Sequence, residues 1–278
     1  MNAPDIQSLK RQPYPPENTS SNHMNFGLIL ELTKRDFIER YSGSSLGFIW
    51  SFIYPLISIL IYMVVFGNLM GARLPDTSSV WGYGIYLISG LIPWTAFTNT
   101  VTRSSTVFLD KKHLISKIRI DLPSLPVFIV LSETITFCVT FIIFLGIQFI
   151  TGFQFSPLLL FIPVIYLIHQ IFAYALGFFL AMLVVFLRDL KEVVNICFQI
   201  WFWFTPIVYV YEILPLPVQG ILIWNPMLSV ISAYHDIFVY MRVPSFIFLM
   251  LVLAGSILLV ILDYLIFKKL EKDIRDFI

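Results

Sequence analysis

The sequence predicts an all-α polytopic membrane protein. Six transmembrane helices, an N-terminal amphipathic interface helix, and short re-entrant or interfacial helices between spans five and six account for it. Three observations lead there. Hydrophobic residues make up 58% of the 278 residues and charged residues only 13%, whereas a soluble domain carries roughly 25% charged residues; mean hydropathy is +0.84. Apolar runs long enough to cross a bilayer recur along the chain. Of the 18 Lys and Arg, all except Arg73 and Arg242 fall in segments that alternating spans place on one side of the membrane.

Residues 1–24 are polar and contain Pro4, Pro13, Pro15 and Pro16. Proline opposes helix formation, so this stretch reads as a mobile cytoplasmic tail, ahead of a transmembrane domain over 25–278. In 25–41, Phe26, Ile29, Leu30, Thr33, Phe37 and Tyr41 recur at steps of three and four, with Glu31, Lys34, Arg35 and Glu39 opposite. That pattern predicts an amphipathic helix lying along the bilayer interface.

The spans follow at 46–66, 83–101, 124–150, 157–187, 193–211 and 246–267. The first is about 31 Å long at 1.5 Å per residue, enough for the hydrocarbon core. The fourth is long and carries Pro163, which predicts tilt or a kink. Between the fifth and sixth, 212–245 is too apolar for an ordinary loop, yet Pro215, Pro217 and Pro226 interrupt it. Short re-entrant or interfacial helices fit this segment; each apolar piece is too short to span.

With both termini cytoplasmic, the inner segments hold Lys10, Arg11, Lys34, Arg35 and Arg40, then the 103–119 group, Arg188 and Lys191, and the basic tail 268–278. This is the positive-inside pattern, and it predicts a multi-pass protein of a bacterial inner membrane. A net charge of +1 gives no case for nucleic-acid binding. No apolar signal segment with a small-residue cleavage site occurs in the first 45 residues. Cys138 and Cys197 lie in separate apolar runs and read as packed thiols.

No phosphate-binding GxxxxGK[ST] loop, nucleophile elbow or metal-ligand spacing is present, so the chain is expected to be a transport component rather than an enzyme, without a cofactor of its own. Glu133 and Asp263 are the acids placed within spans. An intramembrane acid is a functional candidate; a structural role is the competing reading for Glu133, and Asp263 is expected to reach the interface beside Lys268. Aromatic residues are abundant. On a helix, Phe198, Phe202, Thr205 and Tyr209 align within about 60°, as do Phe48, Phe52, Tyr62 and Phe66. Such faces stack on the C–H faces of sugars, and they also serve plain helix packing.

Three stretches carry a family resemblance: RYSGSSLGFIWSFIYPL (40–56), FLDKKHLISKIRIDLPSLP (108–126) and VFLRDLKEVV (185–194), with the Trp224-Asn225-Pro226 step fitting as well. Together they resemble the permease subunits of ABC-2 type polysaccharide exporters, from about Lys34 to the C-terminus. Tyr54 stands before Pro55 where the capsule subgroup has an acid, so the O-antigen or teichoic-acid type is the nearer match. The resemblance implies a homodimer around one channel, driven by two copies of a separate nucleotide-binding subunit that holds ATP and Mg. It implies export of a polysaccharide carried on a polyprenyl diphosphate lipid.

On this reading Asp110, Lys111, Lys112, Leu114, Ile115, Lys117 and Arg119 meet the ATPase, with Arg188 and Asp189 bracing the same face. Phe48, Phe52, Phe198, Phe202 and Tyr209 line the channel, and Arg40 meets the lipid diphosphate. The competing readings are a stand-alone secondary transporter or channel, an exporter of capsule or teichoic acid, and a membrane-bound transferase. The last lacks the interfacial carboxylate cluster it requires.

Overall fold

A computed structural model describes residues 26–41, 80–118, 120–150 and 156–278, with scattered positions between 49 and 65. Most of the first span, including Phe48 and Phe52, lies outside the described residues, as does Arg119. The described chain is helical, without strands. Helix α1 is Phe26–Tyr41, α2 is Val80–Asp110 and α3 is Lys112–Lys117. Next come α4, Leu125–Ile150, and α5, Ile162–Phe186. The remainder is α6, Leu190–Trp203; α7, Leu216–Leu222; α8, Pro226–Phe238; and α9, Phe246–Phe277.

Among the described residues, the segments Leu122–Ile150, Pro157–Phe186 and Phe246–Phe277 are long and apolar enough to cross a membrane; α7 and α8, bent by 104° at their junction, make a fourth candidate if taken as one broken span. Helix α2 has the length, at 31 residues, but Tyr, Thr, Ser and Gly dilute its apolar content. It also runs on past the expected end at Val101.

Ring and hydrogen-bond pairs set the directions. Phe97 stacks on Phe172 at 5.3 Å, Thr100 meets Gln170 at 3.2 Å and Phe108 meets Phe178 at 6.3 Å, so α2 and α5 run parallel. Pairs Phe161–Phe246, Phe178–Phe267 and Phe186–Phe277 make α9 parallel to α5. Helix α4 runs opposite, since Tyr166 reaches Thr134 while Tyr174 reaches Pro123. Asp110 and Phe186 therefore share one end of the bundle, and Tyr86 and Phe161 the other. These directions are the ones that alternating second, third, fourth and sixth spans require.

Several expectations need correction. Pro163 does not kink a span; it sits in the first turn of α5, where its missing N–H costs nothing. The fifth span is not one helix. Helix α6 stops at Trp203 after 14 residues, about 21 Å, because Pro206 bars the helical conformation at Thr205 and supplies no N–H. The alignment of Phe198 and Phe202 with Thr205 and Tyr209 is thereby lost. The tail 268–278 is not separate, since α9 continues to Phe277, with Ile274 fully buried and Arg275 Nη2 donating to the Ile120 carbonyl at 3.0 Å. Cys138 and Cys197 are exposed rather than packed. Asp263 is completely buried, with neither oxygen hydrogen-bonded among the described residues, while Lys268 lies over the Tyr264 ring.

The α2–α5 contact depends on one glycine. A Cβ added at Gly177 would lie 2.6 Å from the Ser104 Cβ, closer than real Cβ contacts. Gly177→Ala is expected to cost about 1–3 kcal/mol through overpacking. Thermal unfolding in detergent should show a smaller loss when the same change is made in a Ser104→Gly background.

Candidate functional site

The first site lies where α1, α2 and α4 meet. On α1, Ile29, Leu32 and Thr33 are buried, with Asp36 and Arg40 one and two turns further along the same side. Phe26, Leu30 and Ile38 are exposed. The inward side shares Ile29 and Thr33 with the apolar face the sequence predicts, while Phe26 and Leu30 of that face are exposed, and α1 packs along α4, where Thr33 Oγ1 donates to the Phe128 carbonyl at 3.4 Å.

There the side chains form a closed ionic network. The Glu133 side chain is 1% exposed, and its Oε1 accepts from Arg40 Nη2 at 2.8 Å and from Arg103 Nη1 at 2.6 Å. Asp36 accepts from Arg40 at 3.3 Å, from Ser132 Oγ at 2.5 Å, and from Arg103. Arg40 Nη1 also donates to Thr136 Oγ1 at 3.1 Å. Two carboxylates and two guanidiniums sum to zero. Burial alone would raise the Asp36 carboxyl, but the hydrogen bonds from Arg103 and Ser132 and the charges of Arg103 and Arg40 hold it below its usual 3.8. For Glu133 the structural reading fits this pairing. Arg40 is not a free cation at the rim, since an incoming phosphate would have to displace Asp36 and Glu133.

Asp36 and Arg103 carry no role in the sequence reading. The available signal was Asp36 in step with Ile29, Thr33 and Arg40, an acid on the inward side of an amphipathic helix.

Two turns along α2 from Arg103 lies the second group. Asp110 accepts from Thr106 at 2.7 Å, and Lys111 pairs with Glu39 at 3.8 Å while lying over the Phe128 ring. On α3, Leu114 and Ile115 pack against the chain's own core, whereas Lys112, His113, Ser116 and Lys117 are exposed. Arg188 and Asp189 are exposed in the turn between α5 and α6. Because α2 and α5 are parallel, that turn and α3 project from the same end.

At the opposite end the break after α6 exposes backbone groups that need partners. Tyr83 donates to the Val208 carbonyl at 2.6 Å, and Tyr86 to those of Pro206 and Tyr209 at 3.2 and 2.8 Å. Asn225 donates to the Phe204 carbonyl and to Thr205 Oγ1, both at 3.0 Å, and accepts from Trp201 Nε1 at 2.8 Å. Its Oδ1 also accepts from the Met227 N–H, which caps α8.

The expected channel aromatics are distributed unequally. Phe198 is buried in the core, edge-on to Phe97 and stacked on Trp201. Phe202 lies 5.8 Å from Trp94, and the Tyr209 hydroxyl donates to the Trp203 carbonyl at 2.8 Å. Among the described residues, the exposed side of α6 instead carries Val193, Ile196, Ile200 and Trp203, with Asn195 and Gln199 exposed beside them.

The sequence model of the ABC-2 type transporter family matches residues 27–239, from the start of α1 to just past α8. The chain belongs to the ABC-2 type transporter family. It is 28% identical over 252 residues to the O-antigen export system permease protein RfbA of Myxococcus xanthus, covering 90% of this chain and 95% of that one. A Klebsiella pneumoniae protein of the same name is 28% identical over 247 residues, 88% of this chain and 93% of that one. The polysialic acid transport protein KpsM of Escherichia coli is 22% identical over 204 residues, 73% and 77% of the two chains. This ABC-2 chain is a membrane transport component, and the matched region includes the ionic network, α3 and the broken segment after α6.

Removing one member of a buried ion network leaves its partners uncompensated. Glu133→Ala is expected to destabilise by about 3–5 kcal/mol, and Glu133→Ala with Arg103→Ala by less than the sum of the single losses. Thermal unfolding of the parent chain, the two single variants and the double variant in detergent measures both.

The Asp36 carboxyl is lowered, so its contribution is fully present above the unfolded value and is lost as pH falls through the folded one. Docking of α1 should hold at about pH 5–8 and weaken as pH falls below 3.8. Amide exchange along α1 reads this directly.

Proposed function

We propose that this chain is the membrane subunit of an ATP-driven exporter of lipid-linked polysaccharide, of O-antigen type, acting as a homodimer with two copies of a nucleotide-binding subunit. The observation that carries this reading is likeness over nearly the full length to two permeases named for O-antigen export. The weaker likeness to KpsM keeps capsule as the second reading. In this scheme the protein has six spans in the bacterial inner membrane, both termini are cytoplasmic, and α7 and α8 re-enter from the outer side. The charge distribution supports that orientation.

The end bearing α3 and the 187–189 turn is the docking surface for the ATPase. Leu114 and Ile115 anchor α3 to its own bundle, so the contact falls to Lys112, His113, Ser116 and Lys117, with Arg188 and Asp189 beside them. The ionic network holds α1 on α2 and α4, and that role suits its closed charge balance better than binding a diphosphate. The conduit forms between copies. Helix α6 offers it Val193, Ile196, Ile200 and Trp203, with Phe202 and Tyr209 at the edge and Phe198 as support behind. A hydrated polymer needs a wall that grips weakly at every step, and an apolar wall with aromatic edges meets that need better than charges.

Co-purification with a nucleotide-binding subunit, and ATPase activity that requires both, test the assignment. Deletion of the chain should leave lipid-linked polysaccharide on the cytoplasmic side; unchanged export would overturn the reading. Lys112→Glu with Lys117→Glu should uncouple ATP hydrolysis from export without loss of folding. Leu114→Ala with Ile115→Ala should also uncouple, but with a stability loss of about 1–2 kcal/mol because these side chains are half-buried.

A further inference from the structure

A cavity of about 260 Å³ opens at the end of the bundle opposite α3, about 36 Å along α2 from Asp110. It has room for roughly nine waters at about 30 Å³ each, or one sugar ring. Helix α8 is mostly apolar, but Ser229, Ser232 and Asp236 fall at steps of three and four and put a polar stripe on the cavity wall. Neither serine hydroxyl is hydrogen-bonded among the described residues, so both are free to bind. Glu212 also lines the cavity and forms no ion pair among the described residues. Tyr211 and Tyr240 add ring surface, and Leu228 and Phe248 add apolar wall. On the same wall His235 stacks on Tyr86 at 3.8 Å, and its Nε2 has no hydrogen-bond partner among the described residues.

One further feature belongs to this cavity. Arg242, one of two basic residues outside the inner segments, lines it. Met241 takes a φ of 47°, which side chains other than glycine rarely adopt. That turn brings the Arg242 N–H to the Asp236 carbonyl at 2.9 Å and Arg242 Nε to Asp236 Oδ1 at 2.7 Å, with the guanidinium over the Tyr240 ring at 4.9 Å.

We propose that this cavity binds a single neutral sugar ring, a station for the exported glycan at the far end of its path. The inference rests on the polysaccharide-export reading. A pyranose offers hydroxyls to carboxylate and serine acceptors and a C–H face to the tyrosines, and the cavity presents both. Anionic units are disfavoured, because two carboxylates face one guanidinium that Asp236 already engages. A lipid chain is disfavoured by the polar stripe, and a divalent cation by Arg242.

Saturation-transfer NMR on the full chain in lipid nanodiscs tests this, with the methyl glycosides of glucose, galactose and mannose, and with glucuronate, each at about 10 mM, where weak sites fill. Transfer to the ring protons of at least one neutral glycoside is expected, exceeding that to glucuronate. It should fall about fivefold or more in Ser229→Ala with Ser232→Ala, two hydrogen bonds being lost. Glu212→Gln, at an exposed position, should lower it as well and keeps the test open if the serine pair does not fold. No transfer to any glycoside, stronger transfer to glucuronate, or transfer unchanged in the variants overturns the proposal. Export assayed in parallel separates the two readings. If export needs the chain but no glycoside binds, only the cavity assignment falls. If glycosides bind as expected but export does not need the chain, the exporter reading falls.

Discussion

Glu133 cannot be buried as an anion without cationic partners, and most of the architecture at its end of the molecule follows from that constraint. Removing a carboxylate from water costs several kcal/mol unless charge and hydrogen bonds replace the solvent. Here the replacement is two guanidiniums, whose planar forks each reach two acceptors at once. Arg40 comes from α1, Arg103 from α2 and the acid from α4, so pairing at one buried oxygen, Glu133 Oε1, ties three helices to one another, while Oε2 has no hydrogen-bond partner among the described residues. Asp36 completes the arrangement by balancing the second guanidinium. Helix α1 depends on this more than the others do. Two of the four charged members, Asp36 and Arg40, sit on it, and among the described residues Phe26 and Leu30 on its other side are exposed.

The same helix that brings Arg103 to the network also organises the opposite end. Along α2, Thr98, Thr102, Ser105 and Thr106 return their hydroxyls to carbonyls of their own helix, so a rod with many polar residues still sits among apolar neighbours. At its far end the phenols of Tyr83 and Tyr86 are spent on the carbonyls left free where α6 breaks. Without them and Asn225, irregular backbone at that depth would carry unsatisfied groups. A displacement of α3 therefore acts on a continuous helix whose other end holds the broken segment.

The sequence made some of this legible and hid the rest for definable reasons. The third and fourth spans are uniform apolar runs whose ends match the helices to within a few residues; the sixth matches at its start, but α9 runs on past the expected end at Phe267 to Phe277. The end of α6 was written in Thr205-Pro206, but hydropathy continues smoothly through it and masks the break. For Phe198 the difficulty is different. A helix apolar on most sides has an aromatic stripe by spacing alone, and spacing does not say whether the stripe meets its own chain or another. The pairing of Glu133 with Arg40 joins residues 93 apart. Local pattern cannot supply such a contact, although the cost of an unpaired acid in a membrane requires that some partner exist. Asp263 shows the limit of that rule, since its neighbour in sequence, Lys268, turns to Tyr264 instead.

Close packing also bears on where a large substrate can pass. At Gly177 and Ser104, α2 and α5 approach too closely to admit even a methyl group. About two to three turns along α2 from Ser104, Trp94, Phe97, Phe172, Phe198 and Trp201 interlock. A hydrated polymer cannot thread such a core without unmaking it. On the proposed export reading, the space it needs lies outside that core, against faces exposed among the described residues. Helix α6 has such a face among the described residues, where Val193, Ile196, Ile200 and Trp203 are exposed next to Asn195 and Gln199 and backed by the interlocked aromatics. The rigidity behind it and the openness in front are two consequences of the same packing, and together they support the proposed path between chains over a path through one.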